Sequence, residues 1–221
     1  NLTKKIIENY FKNIFLIEKD KKLSETLKNK FFLNKNIKVF NEDIMKFSLE
    51  NYTKKNTVIL GNLPYNISSQ ILVKLIKFDS WLPNYKKLVL MFQKEVADKI
   101  LAKHNEPAYG RLSVLINCRL KVTNHFNVSN NCFFPKPKVQ STVLVLKPII
   151  NKDFKVKNIG NLEKITQLFF SNKRKMVNKA LKKTFKNSDK IAVKYGIDTT
   201  WRPNQLTEKM YYNITNHLEK L

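Results

Sequence analysis

Short runs of apolar residues recur along the first part of this chain, and they constrain its fold more strongly than any other feature. Four such runs occupy residues 14–17, 37–40, 57–60 and 88–92; Lys38 interrupts the second, and the third begins with Thr57. Continuous apolar runs of this length are typical of strands that are buried on both faces, as in a parallel sheet covered by helices. The segments between the runs carry apolar residues at helical spacing. We therefore expect an α/β fold in which strands and helices alternate.

The boundaries of several elements can be predicted from single residues. We expect Asp20 to cap a helix that carries Leu23, Leu27 and Phe31 on one face. Gly61 is expected to stop the third strand, and Ser68 or Ser69 to cap the helix after it. The predicted core contains apolar residues on the helical stripes: Phe31, Phe32, Ile71, Leu72, Leu75, Ile76, Phe169 and Phe170.

The last two predicted strands, residues 119–128 and 142–146, have only an irregular loop with prolines between them. No helix fits into this loop, so the two strands should be antiparallel. A mostly parallel sheet with an antiparallel last strand is the shape of Rossmann-like methyltransferases. We predict this fold for residues 1–150.

The pattern changes after Pro148, where a polar linker at residues 151–157 is followed only by helical periodicities. One stripe contains Leu162, Ile165, Leu168 and Phe169, a second contains Met176, Val177, Ala180 and Leu181, and a third contains Leu206, Met210, Ile214 and Leu218. Pro203 is expected to start the last helix. We predict a small all-α domain over residues 151–221, with a role in substrate recognition.

The formal net charge of the chain is +25, which favours a polyanionic partner. The predicted helical domain has 16 Lys and Arg against 6 Asp and Glu, a net +10, which leaves +15 for the first 150 residues. We therefore expect contact with nucleic acid over both domains. A compositional bias towards lysine is the alternative.

Other classes of protein are disfavoured by what the sequence lacks. Two cysteines are too few for a disulfide framework, the three histidines are scattered, and no apolar run is long enough to span a bilayer. We expect no metal, no membrane, a cytoplasmic location and a monomer.

Polar residues follow three of the predicted strands: Glu18, Asp43 and Asn62. Ligands of open parallel sheets bind beyond the carboxyl ends of the strands. An acidic residue there can accept hydrogen bonds from the two ribose hydroxyls of a nucleotide-like cofactor, and Asp43 can accept a hydrogen bond from its adenine amine. An acidic residue after a strand is more often only a turn residue or a helix cap, and it is the ordered set of three that favours a cofactor site.

The segment Asn62-Leu63-Pro64-Tyr65 connects a predicted buried strand to a helix. An amine that attacks a methyl group needs its lone pair exposed, and acceptors at the Asn62 side chain and the Leu63 carbonyl can hold its hydrogens. Pro64 biases Leu63 away from helical backbone, and Tyr65 offers a flat face for a base. A tight turn with no chemical role is the alternative.

Four segments of the chain together resemble the ribosomal RNA adenine dimethylase family. They are residues 61–69 (Gly-Asn-Leu-Pro-Tyr-Asn-Ile-Ser-Ser), 91–97 (Met-Phe-Gln-Lys-Glu-Val-Ala), 109–114 (Tyr-Gly-Arg-Leu-Ser-Val) and 133–141 (Phe-Phe-Pro-Lys-Pro-Lys-Val-Gln-Ser). They occur in the family's order, and the resemblance extends from Asn1 to the C-terminal helices. The family also has a glycine-rich loop, which we expect to lie upstream of Asn1.

The resemblance implies an S-adenosylmethionine-dependent enzyme that dimethylates two adjacent adenosines near the 3′ end of small-subunit (16S) rRNA, late in subunit assembly. It implies that Glu18 contacts the cofactor ribose, Asp43 its adenine and Asn62 its reactive end. Asn62, Leu63, Pro64 and Tyr65 would hold the target adenine, and Phe133 would lie over its other face. The partner would be a small ribosomal subunit during assembly.

Basic residues outside these segments are candidates for contact with RNA. Lys173, Arg174 and Lys175 precede an amphipathic helix and can bind phosphates. The alternative is that these residues only form a solvated helix face. Arg111 is a candidate for RNA binding or for a structural role at a helix start.

Two other functions remain open at this point. Relatives with a similar Asn-Xaa-Pro-Tyr turn methylate large-subunit rRNA and confer antibiotic resistance. A non-catalytic nucleic-acid-binding factor on the same fold is the other alternative, which the intact Asn-Leu-Pro-Tyr segment disfavours and the lack of a glycine-rich loop favours.

Overall fold

The computed structural model of the chain describes residues 2–8, 11–78, 81–150 and 156–220. The chain forms two compact units, Asn1–Thr53 and Lys54–Leu221. The predicted boundary between residues 150 and 151 falls inside the second unit, and the division into two domains there stays a prediction. Most of the predicted linker, residues 151–155, lies outside the described residues.

The first unit contains a two-stranded parallel sheet. Its elements are α1 (Leu2–Ile7), β1 (Ile14–Glu18), α2 (Lys21–Lys30), β2 (Ile37–Asn41) and a 3-10 helix (Leu49–Asn51). The side chain of Asp20 accepts a hydrogen bond from the Leu23 amide at 2.8 Å and caps α2, which confirms that prediction. The two strands run in the same direction, with Glu18 paired to Asn41.

The second unit is built on a four-stranded sheet. Its strands are β3 (Thr57–Asn62), β4 (Tyr85–Gln93), β5 (Leu120–Val128) and β6 (Ser141–Pro148), in the order β3-β4-β6-β5. Strand β3 is parallel to β4, and β6 is antiparallel to both β4 and β5. The predicted antiparallel last strand is β6, and its direction is confirmed. In the sheet, β6 lies between β4 and β5 and not at the edge.

Some helices of this unit lie between its strands in the chain, and the others follow the last strand. They are α3 (Ser68–Ile76), α4 (Lys94–Leu101), α5 (Arg111–Arg119), α6 (Ile159–Phe170), α7 (Asn178–Thr184), α8 (Ser188–Lys194) and α9 (Glu208–Leu218). The Tyr212 hydroxyl of α9 donates to the Val114 carbonyl of α5 at 3.1 Å. The C-terminal helices therefore pack on the same unit as the sheet.

The core of the second unit includes strands β4 and β6, which α4 contacts. Leu88, Leu90, Phe92, Leu144 and Leu146 are almost completely buried. The predicted core residues of α3 and α6 are also buried: Ile71, Leu72, Leu75, Ile76, Phe169 and Phe170. These buried stripes confirm the periodicities that predicted the helices.

Some predicted boundaries and core positions are wrong. Phe32 is 84% exposed, because α2 ends at Lys30 and Phe32 lies beyond the buried face of the helix. Pro203 starts only a 3-10 helix (Pro203–Gln205). Helix α9 begins at Glu208, where the Thr207 hydroxyl accepts from the Met210 amide at 3.3 Å. Met176 is exposed and precedes α7.

Candidate active site

The turn after β3 carries the strongest candidate residues. Strand β3 continues through Gly61 to Asn62, so the prediction that Gly61 stops the strand is wrong. A side chain at Gly61 would instead be crowded by its neighbours. A Cβ at this position would lie 2.7 Å from Leu63 Cδ2 and 3.0 Å from Leu90 Cδ2, so the Leu63 side chain would have to move.

The backbone after Pro64 is closed by two hydrogen bonds. The Ile67 amide donates to the Pro64 carbonyl at 3.1 Å, and the Ser68 hydroxyl donates to the Tyr65 carbonyl at 3.1 Å. The predicted capping of α3 by Ser68 or Ser69 is wrong, because Ser68 is already the first helical residue and its hydroxyl reaches back to the turn. These bonds fix the backbone of residues 64–68, which directly follow Asn62 and Leu63.

The polar groups needed to hold an amine are free within this turn. Asn62 is exposed at the end of β3. Within the described residues of the second unit, neither the Asn62 side chain nor the Leu63 carbonyl has a hydrogen-bond partner. Both oxygens are therefore available to accept the hydrogens of an incoming amine.

Tyr65 is held by a partner that was not among the predicted site residues. Its hydroxyl lies 2.6 Å from the hydroxyl of Ser141, the first residue of β6. Ser141 is completely buried. It is the last residue of the segment 133–141, so its place in that segment was the available signal in the sequence.

The structure brings the loop that carries Phe133 to the same edge of the sheet. Ser141 pairs with Gln93 at the end of β4 and with Val128 at the end of β5. Phe133 follows a 3-10 helix (Asn130–Cys132) between β5 and β6 and is half-buried. The carboxyl end of β4, the end of β5 and the start of β6 therefore share an edge with the Asn62 end of β3.

The acidic candidates lie in the first unit, at the carboxyl edge of its parallel sheet. Glu18 ends β1 and accepts from the Asp20 amide at 2.9 Å. Asp43 Oδ2 is 2.8 Å from Lys19 Nζ, and Asp43 Oδ1 accepts from the Met45 amide at 2.9 Å. The Lys19 hydrogen bond and, second, the Met45 amide lower the pKa of Asp43, so its carboxylate is ionised at neutral pH.

The basic candidate residues differ in their contacts with the rest of the protein. Arg111 begins α5, and its guanidinium is 2.8 Å from a carboxylate oxygen of Glu163 on α6. Lys173, Arg174 and Lys175 are exposed in the turn after α6. The Lys173 ammonium lies beside Gly110, 3.4 Å from the position that a Cβ would take there. The structure thus places part of the basic turn next to the start of α5.

Neither a metal cluster nor a membrane-spanning helix occurs within residues 2–8, 11–78, 81–150 and 156–220. No group of three or more His, Cys, Asp and Glu side chains in these ranges is arranged to hold a metal ion. No helix in them has both the length and the apolar character needed to cross a membrane.

The fold and the edge that carries Asn62 are those of a Rossmann-like methyltransferase, as the strand directions predicted. A solved dimethyladenosine transferase from Plasmodium falciparum superposes with a TM-score of 0.77 at 26% identity, covering 100% of this chain and 86% of that chain. The 23S rRNA methyltransferase ErmE superposes with a TM-score of 0.67 at 17% identity, covering 99% and 87%, and shows the fold alone.

Sequence comparison identifies the family. The model of the family described as "Ribosomal RNA adenine dimethylase" matches residues 1–220. The "Ribosomal RNA small subunit methyltransferase A" of Pelagibacter ubique is 40% identical over 227 residues, which cover 100% of this chain and 83% of that protein. The protein of the same name from Malacoplasma penetrans is 38% identical, covering 95% and 75%. The chain belongs to the ribosomal RNA adenine dimethylase family.

Proposed function

We propose that this protein transfers methyl groups from S-adenosylmethionine to the exocyclic amines of two adjacent adenosines near the 3′ end of small-subunit (16S) rRNA. The observation that carries the proposal is the Asn62–Leu63 pair of acceptors. Both oxygens lie at the carboxyl edge of a methyltransferase sheet and have no partner in the described part of the second unit. This arrangement fits an amine whose two hydrogens must be held in place.

The main chemical role of the protein in this reaction is to orient the target amine. The Asn62 side chain and the Leu63 carbonyl accept the two amine hydrogens, which directs the nitrogen lone pair away from the purine ring. Bound S-adenosylmethionine supplies an electrophilic methyl group. The protein accelerates the reaction by holding the amine in line with that group, and positioning of this kind can contribute about 7–11 kcal/mol to lowering a barrier.

The first unit offers groups that fit the adenosine part of the cofactor. We assign the ribose hydroxyls to Glu18 and the adenine amine to Asp43. Each Asp43 oxygen already accepts one hydrogen bond, and a carboxylate oxygen can accept two. The adenine amine would therefore share Asp43 Oδ2 with Lys19 or displace Lys19, whose side chain is 75% exposed.

The target base is held between aromatic side chains in this proposal. Tyr65 stacks on one face of the adenine and Phe133 covers the other. Stacking of a base on an aromatic side chain contributes about 1–3 kcal/mol. Pro64 restricts the backbone of the turn that carries Tyr65.

The remainder of the chain supplies affinity for RNA. We assign a catalytic domain to residues 1–150 and a helical recognition domain to residues 151–221, with Lys173, Arg174 and Lys175 on phosphates. The net charge of +25 supports a partner as large and as anionic as an assembling ribosomal subunit. We further propose that the protein acts as a monomer, in the cytoplasm, where the subunit would be assembled.

The alternatives have less support. The curated relatives named above are small-subunit methyltransferases, which favours small-subunit rRNA over large-subunit rRNA. The intact acceptor pair argues against a non-catalytic binding factor, because such a factor has no need for two unpaired oxygens at this edge.

A transfer assay with both ribosomal subunits tests the proposal. Small and large subunits without adenine methylation are incubated separately with the protein and S-adenosylmethionine carrying a labelled methyl group. We expect label only in the small subunit, in the amount that two dimethylated adenosines require. Label in the large subunit would favour the resistance-type alternative, and no label in either would favour a binding factor.

A further inference from the structure

A buried hydrogen bond ties the Asn-Leu-Pro-Tyr turn to strand β6. The hydroxyls of Tyr65 and Ser141 are 2.6 Å apart, although the two residues are 76 positions apart in the chain. Tyr65 is partly exposed, whereas Ser141 is completely buried. In the described part of the second unit, Tyr65 is the only side chain that bonds the Ser141 hydroxyl.

The position of Ser141 is set by the sheet and not by the loop before it. Its backbone pairs with Gln93 of β4 on one side and with Val128 of β5 on the other. The carbonyl of the preceding residue, Gln140, accepts from the Lys94 amide at 2.8 Å. The Ser141 hydroxyl is therefore a fixed point at the edge of the sheet that carries the acceptor pair.

Tyr65 is anchored at both of its ends. Its carbonyl accepts from the Ser68 hydroxyl at 3.1 Å, and its side-chain hydroxyl is held by Ser141. A tyrosine fixed only through its backbone can still occupy several χ1 rotamers. The second anchor selects one of them, so the ring presents one face in one direction.

We propose that Ser141 is a positioning residue for the target base. Its hydroxyl holds the Tyr65 ring in the orientation in which the adenine stacks, while Ser141 itself does not touch the base. This inference rests on the proposed function of the Asn62–Tyr65 turn, and it adds a residue from a distant part of the chain to that site.

Loss of the Ser141 hydroxyl should slow methyl transfer without weakening the binding of either substrate. A net hydrogen-bond contribution of about 1 kcal/mol corresponds to about a fivefold change in the population of the correct ring orientation. Most of the affinity for a ribosomal subunit comes from contacts with phosphates elsewhere. We therefore expect the effect in the rate constant of transfer and not in KM.

The test is a single-turnover assay with enzyme in excess over unmethylated small subunits. Ser141→Ala and Tyr65→Phe remove the two halves of the same hydrogen bond, and Tyr65→Phe keeps the ring. We expect each variant to be about fivefold slower than the wild type. The double variant should be no slower than either single variant, because all three lack the same interaction.

A matched control removes a different buried hydroxyl from the same strand. The Thr142 hydroxyl, one residue further along β6, donates to the Asn127 side chain at 2.8 Å. Thr142→Val should transfer methyl groups at the wild-type rate. Calorimetric affinity for S-adenosylmethionine and KM for subunits should be unchanged in all of these variants, because none of them removes a proposed contact with the cofactor or with phosphate. A partly unfolded sample would change the active fraction and not the single-turnover rate constant, so the rate constant separates an effect on the site from an effect on folding.

The outcomes separate this inference from the proposed function. If the wild type does not methylate small subunits, the proposed function fails. If it does, wild-type rates in Ser141→Ala or Tyr65→Phe would overturn the role of Ser141. Losses that multiply in the double variant, or an equal loss in Thr142→Val, would also overturn it. Tyr65→Phe keeps the test decisive if Ser141→Ala does not fold.

Discussion

The turn at residues 61–65 and the basic turn at residues 171–176 differ in how their side chains are held. The first is closed by the Ser68 and Ser141 hydroxyls and leaves one side-chain oxygen and one backbone oxygen available to a ligand. The second is exposed along its whole length. Both turns belong to the second unit and both carry predicted functional residues.

This difference follows from what each turn has to do. An amine must be held within a fraction of an ångström and in one orientation, which requires a rigid frame. Phosphates can be bound by mobile cations, because the attraction depends on the field and on the release of counterions. Changes in the first turn should therefore affect rate, and changes in the second should affect salt-dependent affinity.

The largest expected effect is that of Asn62→Ala. Removal of one acceptor should slow methyl transfer by about a hundredfold or more, by analogy with the loss of one hydrogen-bonding group from a preorganised site. Affinity for rRNA should stay within about threefold, because phosphate contacts dominate it. Single-turnover rates and RNA binding are measured on the same preparation, with the exposed neighbour Asn66→Ala as a control. A fast Asn62→Ala enzyme would contradict the acceptor role.

Gly61→Ala should have the next largest effect. The added methyl group would lie 2.7 Å from Leu63 Cδ2 and 3.0 Å from Leu90 Cδ2, so the Leu63 side chain would have to move beside the carbonyl that accepts the amine. We expect about a tenfold loss of rate and a loss of about 1–3 kcal/mol of stability. Denaturant unfolding and single-turnover assays measure the two. An unchanged rate would contradict the dependence of methyl transfer on the packing of Leu63.

Replacement of Lys173, Arg174 and Lys175 by Ala should act on binding. The slope of log affinity against log salt should decrease by about 2, since each phosphate of single-stranded RNA that is no longer neutralised lowers it by roughly 0.7. The rate at saturating RNA should stay the same. Replacement of Lys21, Lys22 and Lys28 on α2 makes the same charge change elsewhere and serves as the control. Equal slopes for the two triple variants would assign the basic turn to solvated surface.

The smallest expected effect concerns Arg111. Arg111 and Lys77 both contact Glu163, and the side chains of this group are partly exposed. If the role of Arg111 is structural, Arg111→Gln and Glu163→Gln should each cost about 0.5–1 kcal/mol of stability and leave RNA affinity unchanged. Unfolding and binding titrations test both variants. A salt-dependent loss of RNA affinity in Arg111→Gln alone would assign Arg111 to RNA.

Much of the fold could be predicted because its first four strands are mostly apolar runs with a clear length, although of these four only β4 is buried along most of its length. The antiparallel pairing of β5 and β6 followed from a connection too short for a helix. The position of β6 between β4 and β5 could not be predicted, since strand order depends on packing between elements far apart in the chain. Helix α8 was also not predicted. Its buried apolar residues, Ile191 and Ala192, are too few for a periodic stripe.

The candidate site, like the fold, has one part that could be predicted from the sequence and one part that could not. Asn62 and Tyr65 could be proposed from the sequence because Pro64 marks a local turn that follows a strand. The bond from Tyr65 to Ser141 could not, because it connects residues that only the sheet brings together. The Arg111–Glu163 ion pair is also a long-range contact, and the sequence left the role of Arg111 open.

The most direct test of the central claim is a map of the modified nucleotides. Small subunits treated with the protein and S-adenosylmethionine are read by primer extension along their rRNA, with Asn62→Ala as the blank. The proposed function predicts stops at two adjacent adenosines near the 3′ end for the wild type and, over the time in which the wild-type reaction reaches completion, almost none for the variant. Stops elsewhere, or equal stops for the variant, would contradict it.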